Sequence, residues 1–499
     1  MELQFNQTAC PYLRPAVWEL QLQEETQELR LPDGMPDAGT VLGSWGQTVL
    51  RSKEWRGDEM MVSGGVMVWL LYQPEDGSQP QKLETWIPFQ LRWNLPQTQH
   101  EGIMRVKPAL KTVDARLLSA RKMMVRAAVC ALGEAWEPVE ALLAEPAQEM
   151  PGLELLTRTY PLQLPKEAGE KTFLIDEEWS PPSSAPAVAQ ILRYAVDTEL
   201  QDQKVIGERL VFRGTAVVHV LYCGEDGRFH AWDFETPFSQ YTELSHDYEQ
   251  NARADTVLAV TSMELDIEEN GTLHIKCGMV AQYLIEDRTV VKLVEDAYAP
   301  HRDVQLRMDT LQLPAVLDVH QEHIRSEQSI PVDCTQIVDA SFLPEPPRAY
   351  MTGEGAGVEL SGMFQVLYYD DRGELQCAQT RWSQPWKLPV SQDVSVQLSM
   401  QPGSKAQASM TGSDILMKGD MHLQLRTMSG SALPMVTAVE VGEAVTPDPN
   451  RPSLILCRAG EGDIWDLAKR CGSTVSAIRQ ANDLQNEPEA GRLLLIPVT

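Results

Sequence analysis

Val218-His219-Val220-Leu221-Tyr222, followed by a turn at Glu225-Asp226-Gly227, reads as a strand entering a hairpin. The same phrase occurs twice more. Its other copies are Val68-Trp69-Leu70-Leu71-Tyr72 with Glu75-Asp76-Gly77, and Phe364-Gln365-Val366-Leu367-Tyr368 with Asp371-Arg372-Gly373. Fifteen residues before each tyrosine stand Gly57-Asp58, Gly207-Glu208 and Gly353-Glu354. Tyr72, Tyr222 and Tyr368 are 150 and 146 residues apart, and Pro36 and Leu42 stay in register with Pro186 and Leu192. Spacing held over such lengths marks a duplicated unit rather than chance apolar runs.

Working outward, each copy predicts a β-rich domain. Val62 to Tyr72 and Leu83 to Phe89 form the first strand pair, Leu210 to Tyr222 and Phe229 to Phe234 the second, and Val358 to Tyr369 and Leu375 to Trp382 the third. A proline beside an aromatic, at Pro88-Phe89, Pro237-Phe238 and Pro385-Trp386, is expected to end each second strand, because proline cannot donate to a ladder. A further hairpin follows in each copy. Met263 to Ile267 alternates, Asn270-Gly271 turns, and Leu273 to Cys277 alternates back; the matching stretches are Ala115 to Cys130 and Asp414 to Leu425. Cys130 and Cys277 are read as small apolar core residues.

Proline and polar clusters suggest linkers at 145–184, including Ser180-Pro181-Pro182-Ser183-Ser184, at 299–330, and at Thr446 to Pro452. The resulting organisation is a mainly β chain, sandwich- or barrel-like, with domains at 1–145, 171–298 and 325–445 and a small module at 453–499. Each repeat is expected to hold its own core.

The module changes period. Ser453 to Arg458 reads as a strand, and Ile464, Trp465, Leu467, Ala468 and Cys471 sit at helical spacing. Ser473-Thr474 offers a cap for a second helix bearing Val475, Ile478 and Ala481, and Leu493 to Pro497 closes as a strand. That is β-α-α-β. With Leu467 and Ala468 beside it, Trp465 reads as a packing residue rather than a platform for sugar.

Composition bounds the function. The 499 residues carry a net charge of −29, which disfavours free nucleic acid and anionic lipid and suits either solubility or a basic partner. Met1-Glu2-Leu3-Gln4-Phe5 has neither a basic nor an apolar leader region, which argues against a cleaved export signal. Eight scattered cysteines without a C-x-x-C pair suit reduced thiols in a cytosol. There is no G-x-x-x-x-G-K-[ST], G-x-S-x-G or H-E-x-x-H motif. His320-Gln321-Glu322-His323 supplies too few ligands for zinc, and Gly353-Glu354-Gly355-Ala356-Gly357 opens no helix. The chain therefore reads as non-enzymatic, without catalytic, cofactor or metal residues.

Gly462-Asp463-Ile464-Trp465-Asp466-Leu467-Ala468, then Ala481-Asn482-Asp483-Leu484 and Gly491-x-Leu493-x-Leu495-Ile496-Pro497, resembles a LysM module. The resemblance implies the β-α-α-β fold and, by default, a groove for N-acetylglucosamine glycans. That groove, or a partner site in its place, would be formed by Glu461, Gly462, Asp463, Ile464, Asn482 and Asp483. LysM modules usually place a serine or threonine after Gly-Asp/Glu, whereas here Asp463 runs directly into Ile464. The three upstream repeats, with the opening Glu24-Glu25-Thr26-Gln27-Glu28-Leu29-Arg30-Leu31-Pro32-Asp33-Gly34, resemble the SPOCS domains of endospore-forming bacteria. Three SPOCS units before a LysM module imply an adaptor of spore coat or envelope assembly in the mother-cell cytosol, at the forespore surface. In it the LysM module engages a SpoIVA-like morphogenetic ATPase. The alternative is a peptidoglycan-binding protein of the cell wall or spore cortex.

Overall fold

The computed structural model describes residues 2–95, 101–182, 184–352, 355–387, 394–402, 406–429, 432–445, 452–459, 464–489 and 491–498. Strand accounts for 79% of the chain and helix for 3%, so the expected mainly β class holds. Among the described residues no helix is long and apolar enough to cross a membrane.

In the first repeat, β1 (Glu2–Leu3) and β2 (Phe5–Arg30) lead into β3 (Ala38–Arg56), β4 (Glu59–Pro74), β5 (Gln81–Asn94), β6 (Ile103–Ser119) and β7 (Lys122–Pro146). Two antiparallel sheets result, ordered β3-β4-β5 and β2-β7-β6. Alternating residues of β4 (Val62, Val66, Val68) meet Val106, Val125 and Val129 of the second sheet in one buried cluster. The second repeat contributes β8 (Glu154–Trp179), β9 (Val188–Gly224), β10 (Phe229–Tyr248), β11 (Arg253–Ile267) and β12 (Leu273–Tyr298). Strand β9 is long because it doubles back at Gly207, whose φ is +59°. The Glu199 carbonyl then occupies the space that a Cβ on Gly214 would need, as the Val49 carbonyl does at Gly64.

The third repeat holds β13 (Arg302–Gln312), β14 (Val316–Pro331), β15 (Gln336–Thr352), β16 (Gly355–Tyr369), β17 (Leu375–Lys387), β18 (Val394–Pro402), β19 (Gln407–Thr411), β20 (Asp414–Ser429) and β21 (Ala432–Ala444). The chain ends in β22 (Leu454–Arg458), α1 (Ile464–Cys471), α2 (Val475–Ala481) and β23 (Leu493–Pro497).

The repeated hairpins form as read. Tyr72 pairs with Gln81, Tyr222 with His230 and Tyr368 with Gln376. Their turns sit on Gly77, Gly227 and Gly373 at φ +72°, +73° and +75°, a region glycine enters without steric cost. The Asn270-Gly271 hairpin also forms, pairing Ile267 with Leu273 and Met263 with Cys277. Cys130 and Cys277 are buried, and burial pushes each thiol up to about 12.

Four expectations need correcting. The prolines do not end their strands: Pro88 pairs with Gly65, Pro237 with Thr215 and Pro385 with Glu359, and each strand runs on. All three lie on edge strands, where a missing N–H costs no ladder bond. Two of the three stretches read as linkers, 145–184 and 299–330, carry β8, β13 and β14, each paired into a sheet, while Thr446 to Arg451 of the third lie outside the described residues. The range Asp414 to Leu425 lies within the single strand β20, whose hairpin partner is the preceding β19. Finally, the cores of the repeats are not fully separate: the third encloses a cluster of its own, but those of the first and second each take in residues of the other. Val49 and Trp69 of the first repeat lie in one buried cluster with Tyr194, Phe212 and Val218 of the second.

Equivalent residues also converge on common clusters. Leu71, Leu221 and Leu367, each the residue before a repeat's tyrosine, share one buried cluster with Leu192. Leu42 and Val338 pack against it. A second cluster gathers Ala141 and Leu143, Val291 and Leu293, and Met435 from the three repeats. Strand β21 lies between β13 and the N-terminal β1, joining the first residues of the chain to the third repeat.

Polar groups cross the same junction. Arg193 pairs with Asp339 at 3.1 Å and lies over the Trp45 ring at 5.3 Å, touching all three repeats. Arg105 and Arg426, from the first and third, both donate to one oxygen of Asp255 in the second, each at 2.8 Å. Glu134 pairs with Arg105, and Glu286 with Arg426. The two arginines hold the Asp255 carboxyl far below its ordinary range against the cost of burial, whereas burial raises those of Glu134 and Glu286.

Candidate functional site

The terminal module is built on two short helices and a two-stranded sheet. Helix α1 buries Ile464, Trp465, Leu467, Ala468 and Cys471, the stripe that its spacing foretold. Gly472, at φ +59°, stops it: the Ser473 N–H donates to the Ala468 carbonyl at 2.9 Å in a Schellman-type end. Of the two candidate caps, Thr474 is the one used, accepting from the Ala477 N–H at 3.1 Å. Strands β22 and β23 are antiparallel, with Leu456 opposite Leu495.

Of the six residues read as a groove, Glu461, Gly462 and Asp463 lie outside the described residues. Ile464 is buried, and its N–H donates to the Glu487 carboxylate at 3.3 Å, satisfying one free donor at the start of α1. Asn482 is turned inward. Its amide donates to the Ile478 carbonyl at 2.8 Å and the Leu495 carbonyl at 2.6 Å, and its oxygen accepts the Leu495 N–H at 2.7 Å. It ties α2 to β23. Asp483 is exposed, at a φ of +50°.

Trp465 is a packing residue, with a partner outside the module. Its indole N–H donates to Asp296 Oδ2 at 2.8 Å, and its ring meets that of Tyr298 edge-on at 4.8 Å. Lys469 reaches the same Asp296 carboxylate at 2.7 Å, and the Tyr298 hydroxyl donates to the Ser473 carbonyl at 2.9 Å. Burial pushes the Tyr298 hydroxyl well above its ordinary range, so it stays a donor. The end of β12 is therefore a socket for α1.

The opposite face of the module has no such cover. Leu454, Leu456, Leu493 and Leu495 are 53%, 64%, 54% and 36% exposed, while Leu494 and Ile496 between them are buried. Sequence reasoning missed this face, although a signal for it exists. Leu454-Ile455-Leu456-Cys457 and Leu493-Leu494-Leu495-Ile496 are apolar without alternation, as in strands covered on both sides. Here the described residues cover one side only.

Residues 187–268 match the family model described as "SipL, SPOCS domain". The match takes in the second copy of the repeated hairpin and supports a SipL-like sporulation protein with a sporulation-related role and protein partners. No curated protein matches the chain.

Proposed function

We propose that this chain is a non-enzymatic scaffold of endospore coat or envelope assembly. Three SPOCS-like repeats form its body, and the LysM-like module docks a SpoIVA-like morphogenetic ATPase. The observation that carries the reading is the SPOCS match within one of three repeats whose spacing and hairpin registers agree. The uncovered leucine face of β22 and β23 supports a protein partner, because a contiguous exposed apolar patch marks an interaction surface. Asn482, its amide engaged internally, belongs to the scaffold of that face and not to its contacts.

The test uses the full chain, because α1 leans on β12. Leu456→Glu and Leu495→Glu should each weaken capture of the ATPase by about 2 kcal/mol or more, as expected of central interface positions. Asp483→Ala should have less effect. Micromolar binding of chitin oligomers, with no binding of the ATPase, would overturn the reading in favour of the glycan alternative.

A further inference from the structure

The three repeats enclose a cavity of about 540 Å³ at their junction, within the range of small-molecule sites. Leu20 and Asp114, both in its lining, are exposed. Its lining is unlike the rest of the chain. Six cationic side chains, counting a protonated His219, face five carboxylates there, on a protein of net charge −29.

Several polar groups of that lining lack partners among the described residues. Arg426 is 3% exposed at its side chain and commits Nη2 to Asp255 and Glu286, yet its Nε and Nη1 are buried without a hydrogen bond. The Trp69 indole N–H is likewise unmet, and so is one acceptor, Gln397 Oε1. Lys107 follows Arg105 by two residues on the same face of β6 and has no hydrogen bond or ion pair there. The Asp197 carboxylate that acts on it is already engaged by His219 at 3.2 Å. A buried donor without an acceptor costs the desolvation of that group, so a surplus of donors around one void calls for an oxygen-rich occupant.

We propose that this cavity binds a small molecule carrying a carboxylate or phosphate, with the anionic group taken by Lys107 and the unpaired nitrogens of Arg426. The apolar part of the ligand would lie against Ala109, Val257 and Leu343, which line the same space. Every repeat contributes to such a site, so the ligand would bind the assembled body and not a single repeat.

The test titrates the full chain with inorganic phosphate and with citrate, each against chloride at matched ionic strength, following tryptophan fluorescence and the unfolding midpoint. At least one probe should raise the midpoint, and the comparison between them separates phosphate from carboxylate preference. Lys107→Gln gives up only the charge attraction of Asp197, with no hydrogen bond among the described residues, so it should fold and lose about tenfold in affinity for that probe. Arg426→Gln should lose more; where it does not fold, the affinity of Lys107→Gln decides between the outcomes. Neither probe exceeding chloride, or Lys107→Gln binding as tightly as the parent, would overturn the proposal and leave a water-filled junction.

Discussion

His219 shows how one side chain couples stability to pH. Its ring bridges two carboxylates, with Nδ1 at 2.8 Å from Asp233 and Nε2 at 3.2 Å from Asp197, and it is nearly buried. Burial opposes the charge, but the two aspartates win and raise the imidazolium from 6.5 to about 9. A pKa raised on folding contributes stability that is fully present below 6.5 and is lost as pH rises through about 9. Urea midpoints should therefore fall across that window, and His219→Gln should flatten the fall; an unchanged slope would rule the bridge out. Trp465 offers a second test at this scale. Trp465→Ala empties a site shared by α1 and β12 and should cost about 3–5 kcal/mol. Asp296→Asn keeps the volume and should cost less. Module unfolding followed by amide exchange separates the two, and equal effects would mean that the aromatic contact contributes little.

At the scale of elements, the hairpins are legible in the sequence because their signals are local. An acidic-glycine turn between apolar strands states its own partner, and Tyr222 finds His230 eight residues on. What crosses long separations is not legible. Pro88 and Pro237 look like stops because nothing nearby in the chain says that their strands are edges. The partner of Trp465 lies 169 residues away, so its burial can be read while its docking cannot. Asn482 reads as a groove residue for the same reason, since Leu495 comes to it only through the fold. Strand β1 is the extreme case, two residues pairing Glu2 with Glu440 and Leu3 with Val439. Leu3 is 1% exposed, in a cluster with Val436 and Val439. Leu3→Asp should release β1 and leave β21 as an open edge, because a carboxylate cannot stay in that cluster unpaired. Amide exchange at Val439 and Val441 should quicken while the global midpoint moves little. Unchanged exchange there would show that β1 does not hold the edge.

At the scale of the whole molecule, the repeats share buried apolar clusters beside the cores that they enclose. Leu71, Leu221 and Leu367 would each lose apolar neighbours in an isolated repeat, and so would the residues of the second cluster around Leu143 and Leu293. The polar junction adds a constraint of a different kind. Asp255 neutralises arginines from two other repeats, so removing it leaves two buried cations short of a partner. Breaking such a buried pair by deleting one member typically costs about 3–5 kcal/mol, comparable to much of a domain's net stability. Two consequences can be measured. A fragment spanning residues 154–298 should be poorly packed and prone to associate, while the full chain should unfold its three repeats in a single calorimetric transition. Asp255→Ala should lower that transition or split it, because the hydrophobic clusters at either end of the junction would remain while the charged middle no longer joined them. Three separate transitions in the parent, or a monomeric fragment with sharp near-ultraviolet dichroism, would show instead that each repeat closes its own core. The clusters shared between repeats would then be contacts of convenience, and ligand binding at their junction would lose its physical basis.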